Sequence, residues 1–165
     1  IPDNASVILN LGTTTEAVAR ELLRHRNLTV ITNNMNVANI LAYNPGCEVI
    51  VTGGALRRED GGLVGELTVQ QFQHFKADFA VIGVSAIDGD GDLLDFDLAE
   101  VRVSKAIVLQ ARQTFLVADH SKFSRVAPVR LANLANLDAL FTDAPLPPGL
   151  ATLCENSGCK LHLSP

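Results

Sequence analysis

Short apolar runs of strand length alternate along this chain with longer stretches of helical period, and that alternation admits few architectures. The runs fall at residues 7–11, 28–32, 48–52, 79–84, 114–118, 139–142 and 160–163. Several of them lack polar alternation, so both faces of those strands need cover, as in a parallel sheet held between helices. Residues 14–25 carry Val18, Ala19, Leu22 and Leu23 on one stripe, and residues 36–43, 68–75 and 98–111 are similar. Thr13 and Glu16 have capping-box spacing, which predicts a helix start at the end of the first strand. Pro145, Pro147, Pro148 and Gly149 mark a turn before a last short helix. The expected fold is α/β, a mostly parallel sheet flanked by helices. No repeat or linker divides the 165 residues, which suit one domain with a core of its own.

Thirteen Lys and Arg against eighteen Asp and Glu leave a formal charge of −5, which argues against a phosphate-backbone footprint on this chain. The three cysteines, Cys47, Cys154 and Cys159, are odd in number and lack C-x-x-C spacing. They fit reduced thiols in the cytoplasm better than a disulfide or zinc framework. No apolar run approaches the roughly 18 residues of a membrane span, and no basic-then-apolar leader is present. The sole methionine is Met35 and the first residue is Ile1, which predicts that something precedes this chain in the intact protein.

Chemistry concentrates at the expected strand ends. Asn10-Leu11-Gly12-Thr13-Thr14-Thr15 follows the first strand and opens a helix. Glycine permits close backbone approach, and the following N–H groups and hydroxyls converge where the helix dipole favours an anion, which suits a phosphate monoester. The plainer reading makes Gly12 a turn and Thr13 a cap. Thr32, Asn33 and Asn34 end the second strand, and Gly53 and Gly54, followed by Arg57 and Arg58, end the third. Asparagine both donates and accepts, as polyol hydroxyls require, and Arg57 can pair with phosphate. Singly these are caps, turns and solvated charge, but together they mark the carboxyl edge of a sheet, where ligands bind.

Asp88-Gly89-Asp90-Gly91-Asp92 resembles a calcium loop only superficially, because Ala99 stands where an EF-hand needs its twelfth-position Glu. An acidic turn without metal is expected. Glu100 lies three residues after Asp97, either as part of a helix cap or as a hydroxyl acceptor in the pocket. In Asp119-His120-Ser121-Lys122-Phe123, Lys122 is placed to reach the anion held by Gly12 to Thr15, with Asp119 fixing it; the alternative is a surface salt bridge. His25, His74, His120 and His162 have no partner set that supports a catalytic role, and no cofactor is expected.

Taken together, Leu11-Gly12-Thr13-Thr14, Thr32-Asn33-Asn34, Gly53-Gly54 with Arg57, Phe79 to Gly83, Glu100 with Lys105, and Asp119 to Phe123 resemble the effector-sensing domain of DeoR-type bacterial transcription regulators. The resemblance runs from about Pro2 to the C-terminus. Residues 33–39, 56–62 and 95–102 are most similar to the branch that represses the glycerol-3-phosphate regulon. It implies a fold like ribose-5-phosphate isomerase and the CoA-transferases, with effector phosphate at Gly12, Thr13, Thr14, Thr15 and Lys122. The hydroxyl side of the pocket would comprise Thr32, Asn33, Asn34, Gly53, Gly54, Arg57, Gly83, Glu100 and Asp119. It also implies glycerol 3-phosphate as inducer, a homo-oligomer, and operator DNA bound through an N-terminal winged helix-turn-helix absent from this chain.

Two departures bear on catalysis. Ile82-Gly83-Val84-Ser85-Ala86 stands where the isomerases keep two aspartates, and no lysine occurs in residues 91–98. Moving a proton between carbons needs positioned acid and base groups, so a sensor is expected rather than an enzyme. The alternatives are a sugar-phosphate isomerase or lyase using Glu100 as base, and a metabolite-binding module with no DNA partner.

Overall fold

The computed structural model describes residues 1–164. In chain order the elements are β1 (Ser6–Leu9), α1 (Thr13–Leu22), β2 (Leu28–Thr32), α2 (Met35–Leu41), β3 (Cys47–Val51), β4 (Ala55–Leu56), β5 (Leu63–Val64) and α3 (Glu66–Phe72). There follow β6 (Ala77–Ile82), β7 (Ala86–Ile87), β8 (Asp92–Asp95), α4 (Leu98–Leu109), β9 (Ala111–Val117), β10 (Val129–Asn133), β11 (Ala139–Thr142), α5 (Pro148–Ser157) and β12 (Lys160–Leu163). A 3-10 turn at His120–Ser124 follows β9.

Seven strands form one sheet in the order β12-β11-β9-β6-β1-β2-β3, and every neighbouring pair is parallel. All seven apolar runs read from the sequence are strands of this sheet. Their side chains divide by parity, as a pleated strand requires. Val7, Leu9 and Val30 pack with Ala19, Leu22, Val37 and Leu41 of α1 and α2. Ile8, Ile31, Ala80, Ile82, Leu116 and Leu140 face the other way, onto Phe72 of α3, Val101 and Ile107 of α4, and Leu150 and Cys154 of α5. From β1 the chain winds outward to β2 and β3, while from β6 it winds in the opposite direction to β9, β11 and β12. Right-handed crossovers therefore put α1 and α2 on one face and α4 and α5 on the other.

The junction between β1 and β6 is where the winding reverses. Loops diverge to opposite faces there and leave a crevice at the carboxyl ends. Gly12 follows β1, Gly83 follows β6 and the Lys122 turn follows β9, so three adjacent strand ends supply it.

Two small antiparallel sheets lie outside the sequence reading: the β4–β5 hairpin, and a sheet of order β10-β8-β7. The acidic segment 88–92 closes the β7–β8 hairpin, with Asp88 N–H donating to Asp92 O at 2.9 Å and Gly91 N–H to Asp88 O at 2.9 Å. Among the described residues no group of His, Cys, Asp and Glu is arranged to hold a metal, and no helix is long and apolar enough to cross a membrane. All three cysteines are free thiols.

Candidate functional site

A cleft of about 720 Å³ opens at the β1–β6 junction. One end is the start of α1. Its N-cap is Gly12, at φ 122° and ψ 148°, and no side chain caps the helix. The expected Thr13–Glu16 capping box does not form: Thr13 is already the first helical residue, and Glu16 instead accepts a 3.0 Å hydrogen bond from Asn36 Nδ2. The first N–H bonded within the helix is that of Glu16, to Gly12 O at 3.0 Å. Those of Thr13, Thr14 and Thr15 precede it and are left to a ligand or solvent. Thr15 is fully buried and its hydroxyl donates back to Leu11 O at 3.3 Å, so the Thr13 and Thr14 hydroxyls are the freer pair. Gly83 faces this end, where an added Cβ would come within 3.3 Å of Leu11 O.

Lys122 lines the same cleft from the turn after β9. Its Nζ lies 3.7 Å from Asp119 Oδ2, and Asp119 Oδ1 accepts from Ser121 N–H at 2.9 Å. The Ser121 hydrogen bond is foremost in holding the Asp119 carboxyl below its ordinary range. The turn is also tethered to β11: His120 N–H donates to Asp143 Oδ1 at 2.7 Å and His120 Nδ1 meets Asp143 Oδ2 at 2.9 Å.

The cleft also has an acidic lining. The β4–β5 hairpin carries Arg57, whose Nη1 lies 2.8 Å from Glu100 Oε2 and 3.5 Å from Asp97 Oδ2 and whose Nη2 lies 2.8 Å from Asp60 Oδ2. Asp97 caps α4 by accepting from Glu100 N–H at 2.9 Å. Burial pushes the Glu100 carboxyl above its ordinary value, the negative charge of Asp95 adds to this, and Arg57 opposes it. Asp95 ends β8 and accepts from Ser85 Oγ at 2.9 Å and from Phe96 N–H at 2.8 Å. A carboxylate thus reaches Ser85 from a neighbouring strand.

Of the residues named from the sequence, Gly12, Thr13, Thr14, Thr15, Arg57, Gly83, Glu100 and Lys122 line the cleft together. Arg57 is not free for phosphate, because its guanidinium is spent on carboxylates. The structure places Thr32, Asn33 and Asn34 behind the cleft, fully buried. Thr32 Oγ1 donates to Leu9 O at 2.7 Å, Asn33 Nδ2 to Leu63 O at 3.0 Å, and Asn34 Oδ1 caps α2 through Asn36 and Val37 N–H. These polar groups pin β1, β2, α2 and the hairpin together instead of facing a ligand. Gly53 and Gly54 sit against α3, where Thr68 Oγ1 donates to Gly53 O at 2.6 Å. Asp119 is not among the residues lining the cleft and meets it only through its 3.7 Å contact with Lys122 Nζ. The cleft also contains Ser85, Asp95, Phe96 and Asp97, to which sequence reasoning assigned no role in the pocket.

Structurally the chain is an α/β domain with the fold of ribose 5-phosphate isomerase. The enzyme from Methanocaldococcus jannaschii superposes with a TM-score of 0.52 at 13% identity, over 74% of this chain and 48% of that one. That likeness shows the fold alone. The family model for the DeoR C terminal sensor domain matches residues 1–144, and the chain belongs to that family. Over 163 residues it is 47% identical to the glycerol-3-phosphate regulon repressor of Haemophilus influenzae and 44% identical to that of Escherichia coli K12. Those alignments take in 99% of this chain but 63% and 65% of the two relatives, so it spans under two thirds of their length.

Proposed function

We propose that this domain senses a small phosphate ester, glycerol 3-phosphate, and serves as the effector-responsive part of a DNA-binding repressor. The observation that carries the reading is the uncapped start of α1 in the cleft that Lys122 also lines: three N–H donors, two hydroxyls and an ammonium are offered to one cavity. Oriented donors and a mobile cation suit a phosphate dianion. The acidic lining, with Glu100 and Asp95, suits the hydroxyls of a short polyol. The names of the relatives favour glycerol 3-phosphate among such esters.

The site binds without turning its ligand over. Glu100 is ion-paired to Arg57 and Asp95 is held by Ser85 and Phe96, which supports binding over the transfer of a proton between carbons. Operator contact would belong to a winged helix-turn-helix ahead of this domain, in a symmetric homo-oligomer matching a palindromic site. Effector then releases DNA by favouring the assembly with lower operator affinity.

A gel shift tests this reading. The protein joined to its DNA-binding domain should bind operator tightly and release it on addition of glycerol 3-phosphate. The 165-residue chain alone, with its charge of −5, should bind operator no better than random DNA. Retention of operator at saturating glycerol 3-phosphate would overturn the proposal.

A further inference from the structure

We infer that Asp95 determines ligand specificity: its second carboxylate oxygen, beside Glu100, accepts hydrogen bonds from hydroxyl groups at the far end of a phosphate ester. The inference rests on the phosphate-ester reading above and names which esters the site selects.

Asp95 is only 8% exposed, yet it lines the cleft. Its Oδ1 takes the hydrogen bonds from Ser85 Oγ and Phe96 N–H. Among the described residues no hydrogen bond or ion pair engages Oδ2. Glu100 differs, since Arg57 answers its charge. Oδ2 is not sealed from solvent, so a ligand group that displaces water there has to donate to it or leave it without a partner.

An ionised carboxylate only accepts, so the ligand atom opposite Asp95 must carry a proton: a hydroxyl satisfies it, whereas an ether oxygen, a carbonyl or a second phosphate does not. The cleft offers both kinds of partner: donors from α1 and Lys122 for an anion, and the carboxylates of Asp95, Glu100 and Asp97 for hydroxyl groups. Ser85 fixes Oδ1 and thereby aims Oδ2.

Isothermal titration of the 165-residue chain with glycerol 3-phosphate and with propyl phosphate, which keeps the phosphate and lacks both hydroxyls, tests this. The unaltered chain should prefer glycerol 3-phosphate by roughly 10- to 100-fold, the range of a lost hydrogen bond to a charged group. Asp95→Asn should bring its affinity toward that of propyl phosphate, while propyl phosphate binds as before or more tightly because a negative charge has gone. An unchanged preference in Asp95→Asn, no preference in the unaltered chain, or an equal loss of both ligands would overturn the role of Asp95. Failure of the unaltered chain to bind either ester would overturn the phosphate-ester reading itself.

Discussion

Arg57 Nη1 lies 2.8 Å from Glu100 Oε2, and this contact ties the β4–β5 hairpin to the first turn of α4 across the mouth of the cleft. Both side chains are largely buried, at 23% and 16% exposure, so the pair is screened less than a surface ion pair. Replacing Arg57 by Met should cost about 1.5–3 kcal/mol. At about 2–4 °C per kcal/mol for a domain of this size, thermal unfolding should fall by roughly 3–12 °C. An unchanged midpoint would show that the hairpin is held by its backbone alone.

The same contact sets a titration. Burial first, and Asp95 second, hold Glu100 above the ordinary 4.5, so the folded protein keeps this proton where the unfolded chain has lost it. Glu100 therefore subtracts stability as pH rises from 4.5 through its folded value. Carboxyl NMR should show the Glu100 midpoint falling in Asp95→Asn, which removes a repelling charge, and rising in Arg57→Met, which removes an attracting one. Shifts of the same sign in both variants would contradict the arrangement.

Much of this architecture is legible in the sequence, for a definable reason. An apolar run such as residues 28–32 coincides with β2 because burial on both faces leaves little choice of residue. Two-residue strands such as β4 and β7 have no period to read. The place of Gly12 and Thr13 in the cleft is legible because a strand–glycine–helix junction dictates where its donors point, and that of Lys122 because it follows β9 at the same sheet edge. Asn33 and Asn34 show the reverse case. An asparagine at a strand end is equally suited to a ligand or a cap, and only the arrival of Leu63 and α2 decides. Asp95 stayed hidden because its meaning depends on Ser85, ten residues away across a hairpin.

His120 and Asp143 form an exposed pair that anchors the Lys122 turn. The hydrogen bond to Asp143 holds His120 above 6.5, and the same bond holds Asp143 below 3.8. The histidine contribution is complete below 6.5 and fades as pH rises through the folded value; the aspartate contribution is complete above 3.8 and fades as pH falls through its own. Histidine NMR should place the His120 midpoint above 6.5 and return it toward 6.5 in Asp143→Asn. A midpoint indifferent to Asp143 would sever the tether from β11.

Gly54 adopts φ +137°, and an added Cβ would collide with Thr68 Oγ1 and approach Val64 O to 2.8 Å. Gly54→Ala should therefore destabilise by about 1–3 kcal/mol from backbone strain, with the clash added. Because Gly54 lies away from the cleft, ligand affinity of the folded fraction should stay within about two-fold, as expected for uncoupled sites. Denaturant unfolding and titration check the two halves; a ligand-affinity loss without destabilisation would return Gly54 to the site.

The central claim is that Gly12 to Thr15 and Lys122 hold the phosphate of a small ester, and ligand-induced change in melting temperature tests it most directly. Glycerol 3-phosphate at about 100 times its dissociation constant adds roughly 2.7 kcal/mol by mass action, which corresponds to about 5–10 °C. Glycerol and inorganic phosphate should each shift the midpoint far less. Thr14→Val removes one hydroxyl at nearly constant shape and Lys122→Met removes the mobile charge; each should shrink the shift and leave the unliganded midpoint nearly in place. A full shift with glycerol alone, or one that survives both substitutions, would contradict the phosphate site and leave the start of α1 as an ordinary glycine-led helix.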